Sequence, residues 1–351
     1  SLLLTVLSLI KLNKNGFFWF VNNLKIKKIK IGDLVYDTYC KHGNKYINPK
    51  IEFYLILILF KTIFRTLIIS RYLDKHLIKF VLVGTHTGAY NDAIALRLGV
   101  IKKVKVLEIQ PNRVRVYSQK SIENGVRKIL SQDIKKNLRQ KIKIKKINKF
   151  LERRMKNKVM TLYTGSKDIL SSNKGRNLIN KNRFLKKINI KKNKIKKIIL
   201  IAPHAFSDGC HSGGGFFIFS DYYQHLKQTL NFIYEKNYSN ILWIVRPHPT
   251  SKQYGESGVA ENLVKKFRKK NIMLCPPNLK TSALVNICDN VITGRGTIGL
   301  EFACKGKYPI TAGECVYGKF GFSKISKSKK QYFKIISEIV KIPKLKEKQI
   351  N

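Results

Sequence analysis

The sequence predicts an α/β fold made of two Rossmann-like, doubly wound domains. From about Lys196 onward, short apolar runs rich in β-branched residues alternate with amphipathic stretches. The runs are apolar throughout instead of alternating with polar residues, as expected of parallel strands covered by helices on both faces. The chain has 351 residues, 44% of them hydrophobic, which is more than one small core needs and favours two domains.

In the second half, KIILIAPHAF reads as a strand, and FSDYYQHLKQTLNFIYEKN as a helix capped near Ser220. Strand ILWIVRPHP, helix GVAENLVKKFRKK, strand NIMLCPP, short helix TSALVNIC, strand NVITGRG, helix TIGLEFACKG and strand YPITAG follow, and a last helix covers about residues 329–341. Each strand ends in Gly, Pro or a polar cluster, and each helix repeats apolar residues at three- and four-residue spacing. The first half carries strand FVLVGTHTG, helix NDAIALRLGV and strand KVKVLEIQ, the elements of a second such domain. The polar run 186–197 reads as the linker, which puts the domains at 1–195 and 196–351.

Three stretches raise the question of membranes. The opening SLLLTVLSLI lacks Met, is too short to span a bilayer and has no positive region before it, so the chain reads as an N-terminally truncated fragment. Residues 51–70 are long enough to span, but Lys61 and Arg65 interrupt them in the middle, so a buried amphipathic helix is expected. Residues 131–158 place Ile134, Leu138, Ile142, Leu151 and Met155 at nearly helical spacing among lysines. That pattern suits either a solvated helix facing the core or a basic helix on an anionic inner-membrane surface.

Lys+Arg 70 against Asp+Glu 20 gives a net charge of +50. Lysine is enriched together with isoleucine and asparagine, the mark of AT-rich codon usage, so part of this charge is compositional. The remainder implies attraction to phosphates. No recognition motif and no aromatics interleaved on a basic sheet face support specific nucleic-acid binding. The six cysteines form no CxxC pair and no metal-ligand spacing with histidine, which fits a reduced, cytoplasmic chain. A P-loop, a GxSxG elbow, an HExxH helix and a GxGxxG βαβ turn are all missing from the sequence, which weakens the corresponding enzyme classes.

In open parallel sheets, ligands bind beyond the carboxyl ends of strands, and polar clusters follow the predicted strands there. The clearest is Thr293-Gly294-Arg295-Gly296-Thr297, leading to Glu301. Its glycines allow close backbone approach, Thr297 is placed as N-cap, and the helix start suits an anion, so the cluster reads as a phosphate site or as a plain tight turn. His248, between Pro247 and Pro249, is placed to donate to a phosphate or to cap a neighbouring helix. Arg246 and Arg295 are suited to a pyrophosphate or to ion pairs. Glu301 is suited to ribose hydroxyls or to the helix dipole. His204, Asp208 and His211 share one loop whose spacing matches no zinc motif.

Taken together, PHAFSDGCHSGG, DYYQHLKQTL, WIVRPHPTSKQYGE and ITGRGTIGLEFACKGKYPITAGECVYGKFGF resemble the successive motifs of bacterial capsule and surface-polysaccharide biosynthesis proteins of the GT-B glycosyltransferase fold. Ile31–Tyr39, IGDLVYDTY, is similar to a further segment of the same proteins. The resemblance implies a GT-B-like pair of Rossmann-like domains facing a cleft, with the nucleotide on the C-terminal side and the acceptor on the N-terminal side. It implies that His248-Pro249 contacts a donor phosphate, as in Kdo- and sialyltransferases, and that the Gly/Thr turn is a second phosphate element. It further implies metal-independent transfer, since no DxD motif is present, and a last helix that packs back across the linker. The partners implied are a nucleotide-sugar donor, which is a substrate and leaves no separate cofactor, and a glycan or lipid-linked glycan acceptor. An inverting transfer needs a base, with Asp37 favoured and Asp33, Asp92, Asp208 and His211 as alternatives. An epimerase of the UDP-N-acetylglucosamine 2-epimerase type would share the fold, and a basic membrane- or nucleic-acid-binding module would share the charge.

Overall fold

The computed structural model describes residues 1–42, 44–84, 90–110, 113–117, 122–123, 126–127, 180–213, 215–277 and 279–346. The basic stretch 131–158, most of the GTHTG turn and Gly214 lie outside the described residues. Two compact units emerge, one from Ser1–Ile134 with Phe206–Asp221, the other from Lys135–Ala205 with Tyr222–Asn351. This division differs from a single cut near residue 195, because the loop after the first strand of the second half belongs with the first unit.

The first unit begins with α1 (Leu2–Asn23). A small hairpin, β1 (Lys25–Ile26) and β2 (Ile29–Lys30), leads into α2 (Gly32–Cys40). Gly32 is required here, since a Cβ would fall 2.0 Å from the Phe20 carbonyl oxygen. Next come α3 (Phe53–Lys75), β3 (Phe80–Val83), α4 (Tyr90–Ile101), β4 (Lys105–Gln110) and β5 (Arg113–Tyr117). β3 and β4 are parallel across α4, and β5 turns back antiparallel on β4. Val83, Leu96, Val100, Val106 and Tyr117 form the core between α4 and this sheet. Gly99 lets them approach, a Cβ there meeting Val106 at 2.8 Å. A short antiparallel pair, β6 (Ile122–Glu123) and β7 (Val126–Arg127), follows. α3 is longer than the apolar run suggests and buries only one stripe, Leu55, Ile58, Leu59, Thr62, Ile63, Thr66 and Ser70.

The second unit holds α5 (Lys181–Lys187), β8 (Lys197–Ala202), α6 (Tyr222–Lys236), β9 (Ile241–Val245), α7 (Val259–Lys266) and β10 (Ile272–Leu274). It continues through α8 (Thr281–Ile287), β11 (Asn290–Thr293), α9 (Ile298–Ala303), β12 (Pro309–Thr311), β13 (Lys324–Ile325) and α10 (Lys329–Ser337). The strands pair in the order β10-β9-β8-β11-β12-β13, all parallel. Counted along the unit this is 3-2-1-4-5-6, the Rossmann order, in which the direction of winding across the sheet reverses between β8 and β11. β9 and β11 are buried at every residue, as the unbroken apolar runs require.

The expected linker is not a bare connector. Within residues 186–197, Ile195 is part of the second unit's core, and Ile188 and Ile190 pack against it, beside Phe184 and Leu185 of α5. Apolar residues spaced among lysines bury one side of the run and leave the charges in water. The last helix packs on α6: Tyr332 hydrogen-bonds His225 and Thr229 at 2.9 and 2.8 Å, and Phe333 stacks on Phe232.

Candidate functional site

In the second unit the strand ends do bring predicted residues together. His204 follows β8 and His248 follows β9; their rings stack at 5.2 Å and 18°. The other neighbour of His204 is Tyr222, the first residue of α6, at 4.6 Å and 18°. Burial and the positive charge of Arg295 push the His204 pKa down to about 4, so this imidazole is neutral at physiological pH. β8 and β11 pair in parallel up to Ala202 opposite Thr293, so the loops after them start side by side at the switch point where open parallel sheets bind ligands.

His248 is oriented from behind. Its Nδ1 accepts the Thr250 backbone N–H at 3.3 Å and lies 2.6 Å from the Thr250 hydroxyl. An accepting Nδ1 leaves Nε2 as the protonated nitrogen of the neutral ring. Arg246 donates to the Thr281 hydroxyl at 2.8 Å; burial lowers its pKa, while the nearby Cys275 and Glu301 raise it. Glu301 is buried, so its charge acts on Arg246. Pro249 is exposed at the rim of the turn.

The Gly/Thr turn is built differently from expectation. Thr297 stands at the start of α9 in helical geometry and makes no side-chain cap. Thr293 braces the turn ahead of the helix, its hydroxyl accepting the Gly296 N–H at 3.2 Å. A Cβ on Gly296 would sit 2.8 Å from that hydroxyl. Tyr317 closes the turn by donating to the Gly296 carbonyl at 2.8 Å, over Gly299, where a Cβ would meet the phenol oxygen at 2.0 Å. Gly294 and Arg295 lie between the end of β11 and this closed turn.

In the first unit a second cluster forms around α2. Its Asp37 is buried, and Oδ2 accepts the backbone N–H groups of His211 and Ser212 at 3.0 and 2.7 Å. Gly209 makes room, since a Cβ there would lie 3.0 Å from the same oxygen. The residue before Asp37, Tyr36, donates to Asp221 at 2.8 Å, and the Ser220 hydroxyl donates to the same oxygen at 2.9 Å. His211 Nε2 lies 2.6 Å from the Ser220 carbonyl, which can only accept, so Nε2 carries the proton. Tyr36 and Asp37 thus hold both ends of the loop 206–221, and His211 ties the loop to itself. Asp208 lies in the same loop, half-buried.

The profile of one protein family, described as capsule polysaccharide biosynthesis protein, matches residues 106–334, well over half of the chain. The chain belongs to the capsule polysaccharide biosynthesis protein family. Among solved structures it is similar to KpsC, beta Kdo 2,4 transferase, of Thermosulfurimonas dismutans, at 11% identity over 72% of this chain and 77% of that one, TM-score 0.36. A beta Kdo 2,7 transferase of the same organism, also KpsC, matches at 13% identity over 52% and 55%, TM-score 0.28. The UDP-GlcNAc 2-epimerase of Methanocaldococcus jannaschii, solved with UDP-GlcNAc and UDP, matches at 15% identity over 81% and 75%, TM-score 0.33. No curated protein sequence matches the chain.

For this capsule-synthesis protein, several candidate bases have structural partners. The Asp33 carboxylate receives both Arg97 donors, at 2.8 and 2.7 Å, within the interior. Burial alone would raise its pKa, but the guanidinium brings it below the usual carboxylate value. Asp92 accepts the Gly84 N–H at 3.1 Å. Asp37, the favoured base, serves the loop backbone. Sequence reasoning missed the roles of Tyr222, Tyr36 and Arg97, while Tyr317 stood in the polar cluster after the last predicted strand. The first had a readable signal, an aromatic at a helix start directly after the His204 loop, while the others act through contacts far apart in sequence.

Proposed function

We propose that this capsule polysaccharide biosynthesis protein is a metal-independent, GT-B-like glycosyltransferase that moves a sugar from a nucleotide-sugar donor to a growing surface polysaccharide or its lipid-linked precursor. The reaction is placed on the cytoplasmic side of the envelope. The observation that supports this reading is the convergence of His204, His248, Arg246 and Arg295 at strand ends around the switch point of a Rossmann-ordered sheet. Breaking a sugar–phosphate bond leaves negative charge on the departing nucleotide. Preplaced guanidinium groups and the His248 Nε2–H would stabilise that charge as it develops, the role a divalent cation plays elsewhere.

The candidates for the base toward the acceptor hydroxyl are Asp37, Asp208 and His211, and Asp37 also positions the loop that carries the other two. The test is a thermal-shift panel of CMP, UDP, GDP and their sugar conjugates on the intact chain and on His248→Ala. A donor that binds the folded state raises its midpoint by mass action. One nucleotide family is expected to stabilise the intact chain and not the variant; no response to any of them would sink the reading. Turnover of the donor without an acceptor would point to an epimerase.

A further inference from the structure

We propose that the outward faces of α1 and α3 dock the protein on the surface of an anionic lipid bilayer, the two helices lying in the headgroup plane. The first observation is that both helices turn large apolar residues outward and set small hydroxyl side chains among the buried ones, beside Leu12 in α1 and Leu55, Ile58, Leu59 and Ile63 in α3. In α1 the buried positions include Thr5 and Ser8, while Leu2, Leu3, Val6, Leu7 and Ile10 are exposed, Leu2 and Leu3 at 70%. In α3 Thr62, Thr66 and Ser70 are buried, while Phe53, Phe64, Ile68 and Tyr72 are exposed, Phe53 at 79%. A helix whose outer face meets water carries the opposite arrangement.

The inward hydroxyls need nothing from water. Thr5, Ser8, Thr62 and Thr66 each donate to the carbonyl four residues back, at 3.0, 2.7, 2.7 and 2.7 Å. α1 and α3 pack on one another and on α2, and small buried side chains suit close approach of helices. The large side chains are thereby turned outward, and exposed apolar area of this kind marks an interaction surface.

Charge chooses the partner. α1 contains Lys11 and Lys14 and no acidic residue. α3 contains Lys61, Arg65, Arg71 and Lys75 against one carboxylate, Asp74, which is paired with Lys102. A second copy of this chain would bring the same cations to the interface, whereas anionic headgroups are complementary to them. α3 is long and apolar enough to cross a membrane by length and composition. Lys61 and Arg65, however, flank the exposed Phe64 at mid-helix, so spanning would put charge at the bilayer centre. Lying flat lets those side chains reach the headgroups while Phe64 and Ile68 enter the acyl boundary.

The test is flotation of the full chain with vesicles of phosphatidylcholine alone or mixed with phosphatidylglycerol, at moderate and high salt. It compares the native sequence with a variant carrying Leu3→Gln, Leu7→Gln, Phe64→Gln and Ile68→Gln. All four positions are exposed, so the melting midpoint should be preserved and is checked. The native chain is expected to bind the anionic vesicles, and the variant to bind them at least about tenfold more weakly. Three results would overturn the proposal: no vesicle binding, equal binding by the variant, or a dimer of the native chain that the variant dissolves, which would make a second copy the occupant. None of these readouts involves nucleotide, so failure here is separate from failure of the transferase reading.

Discussion

His248 stacks on His204 with centroids 5.2 Å apart and planes 18° from parallel. Burial and Arg295 keep His204 neutral above pH about 4, so His248 meets an uncharged imidazole in this stack. Thr250 fixes the direction of the His248 ring. Replacing Thr250 with Val removes the hydroxyl and keeps the backbone donor. Donor affinity is expected to fall by about fivefold, the net worth of one hydrogen bond, with the melting midpoint unchanged. Titration calorimetry with the responding nucleotide checks both, and an unaltered affinity would mean that His248 does not touch the ligand.

Acid should destabilise the second unit through its buried histidines. Burial pushes His225 down to about 3, and burial with Arg295 pushes His204 down to about 4, from 6.5 in the unfolded chain. Between pH 6.5 and about 4 the unfolded state therefore binds more protons than the folded state. Stability is full above pH 6.5 and falls as pH drops, by up to about 1.4 kcal/mol per pH unit for each histidine. His225→Gln, which keeps a polar partner for Tyr332, should flatten part of this slope in urea titrations run across the range.

The Asp33–Arg97 pair is enclosed, with both side chains almost wholly out of water. Arg97→Met takes from a buried carboxylate its bidentate partner, with Lys30 still 3.7 Å away, and is expected to cost about 3 kcal/mol. Adding Asp33→Leu to that variant should restore much of the loss, because neither charge then remains. Chemical denaturation of the single and double variants gives the coupling directly.

Gly299 is the point where α9 passes beneath Tyr317. Gly299→Ala forces the phenol away and should break its hydrogen bond to Gly296. A loss of about 1–3 kcal/mol is expected from overpacking, accompanied by weaker nucleotide binding if the turn contacts phosphate. Tyr317→Phe, which loses the bond but keeps the ring, should weaken binding with a smaller stability cost, as thermal shift would show.

The second unit was legible because its strands are buried on both faces. Uninterrupted runs such as Ile241–Val245 announce parallel strands, and the polar residues after them mark the binding edge. Strand order follows from that reading only by convention, and the structure supplies it. The first unit was harder, because its functional geometry rests on pairings distant in sequence, Asp37 with Ser212 and Tyr36 with Asp221. A carboxylate held by backbone N–H groups looks, in sequence, the same as one poised as a base. Thr297 likewise looks like a capping residue in sequence, but its helical backbone geometry withholds the cap, and Thr293 braces the turn instead.

The loop 206–221 leaves the second unit after β8, completes the first unit, and returns to the second at α6. During synthesis the first unit therefore cannot finish folding when its own N-terminal residues have emerged from the ribosome. The groups that occupy Asp37 and Tyr36 arrive only with His211, Ser212 and Asp221. By then β8 of the second unit has also been made, so the order of maturation runs against the order of the chain. A polypeptide cut at residue 195 would have its first half waiting for a strap it does not possess.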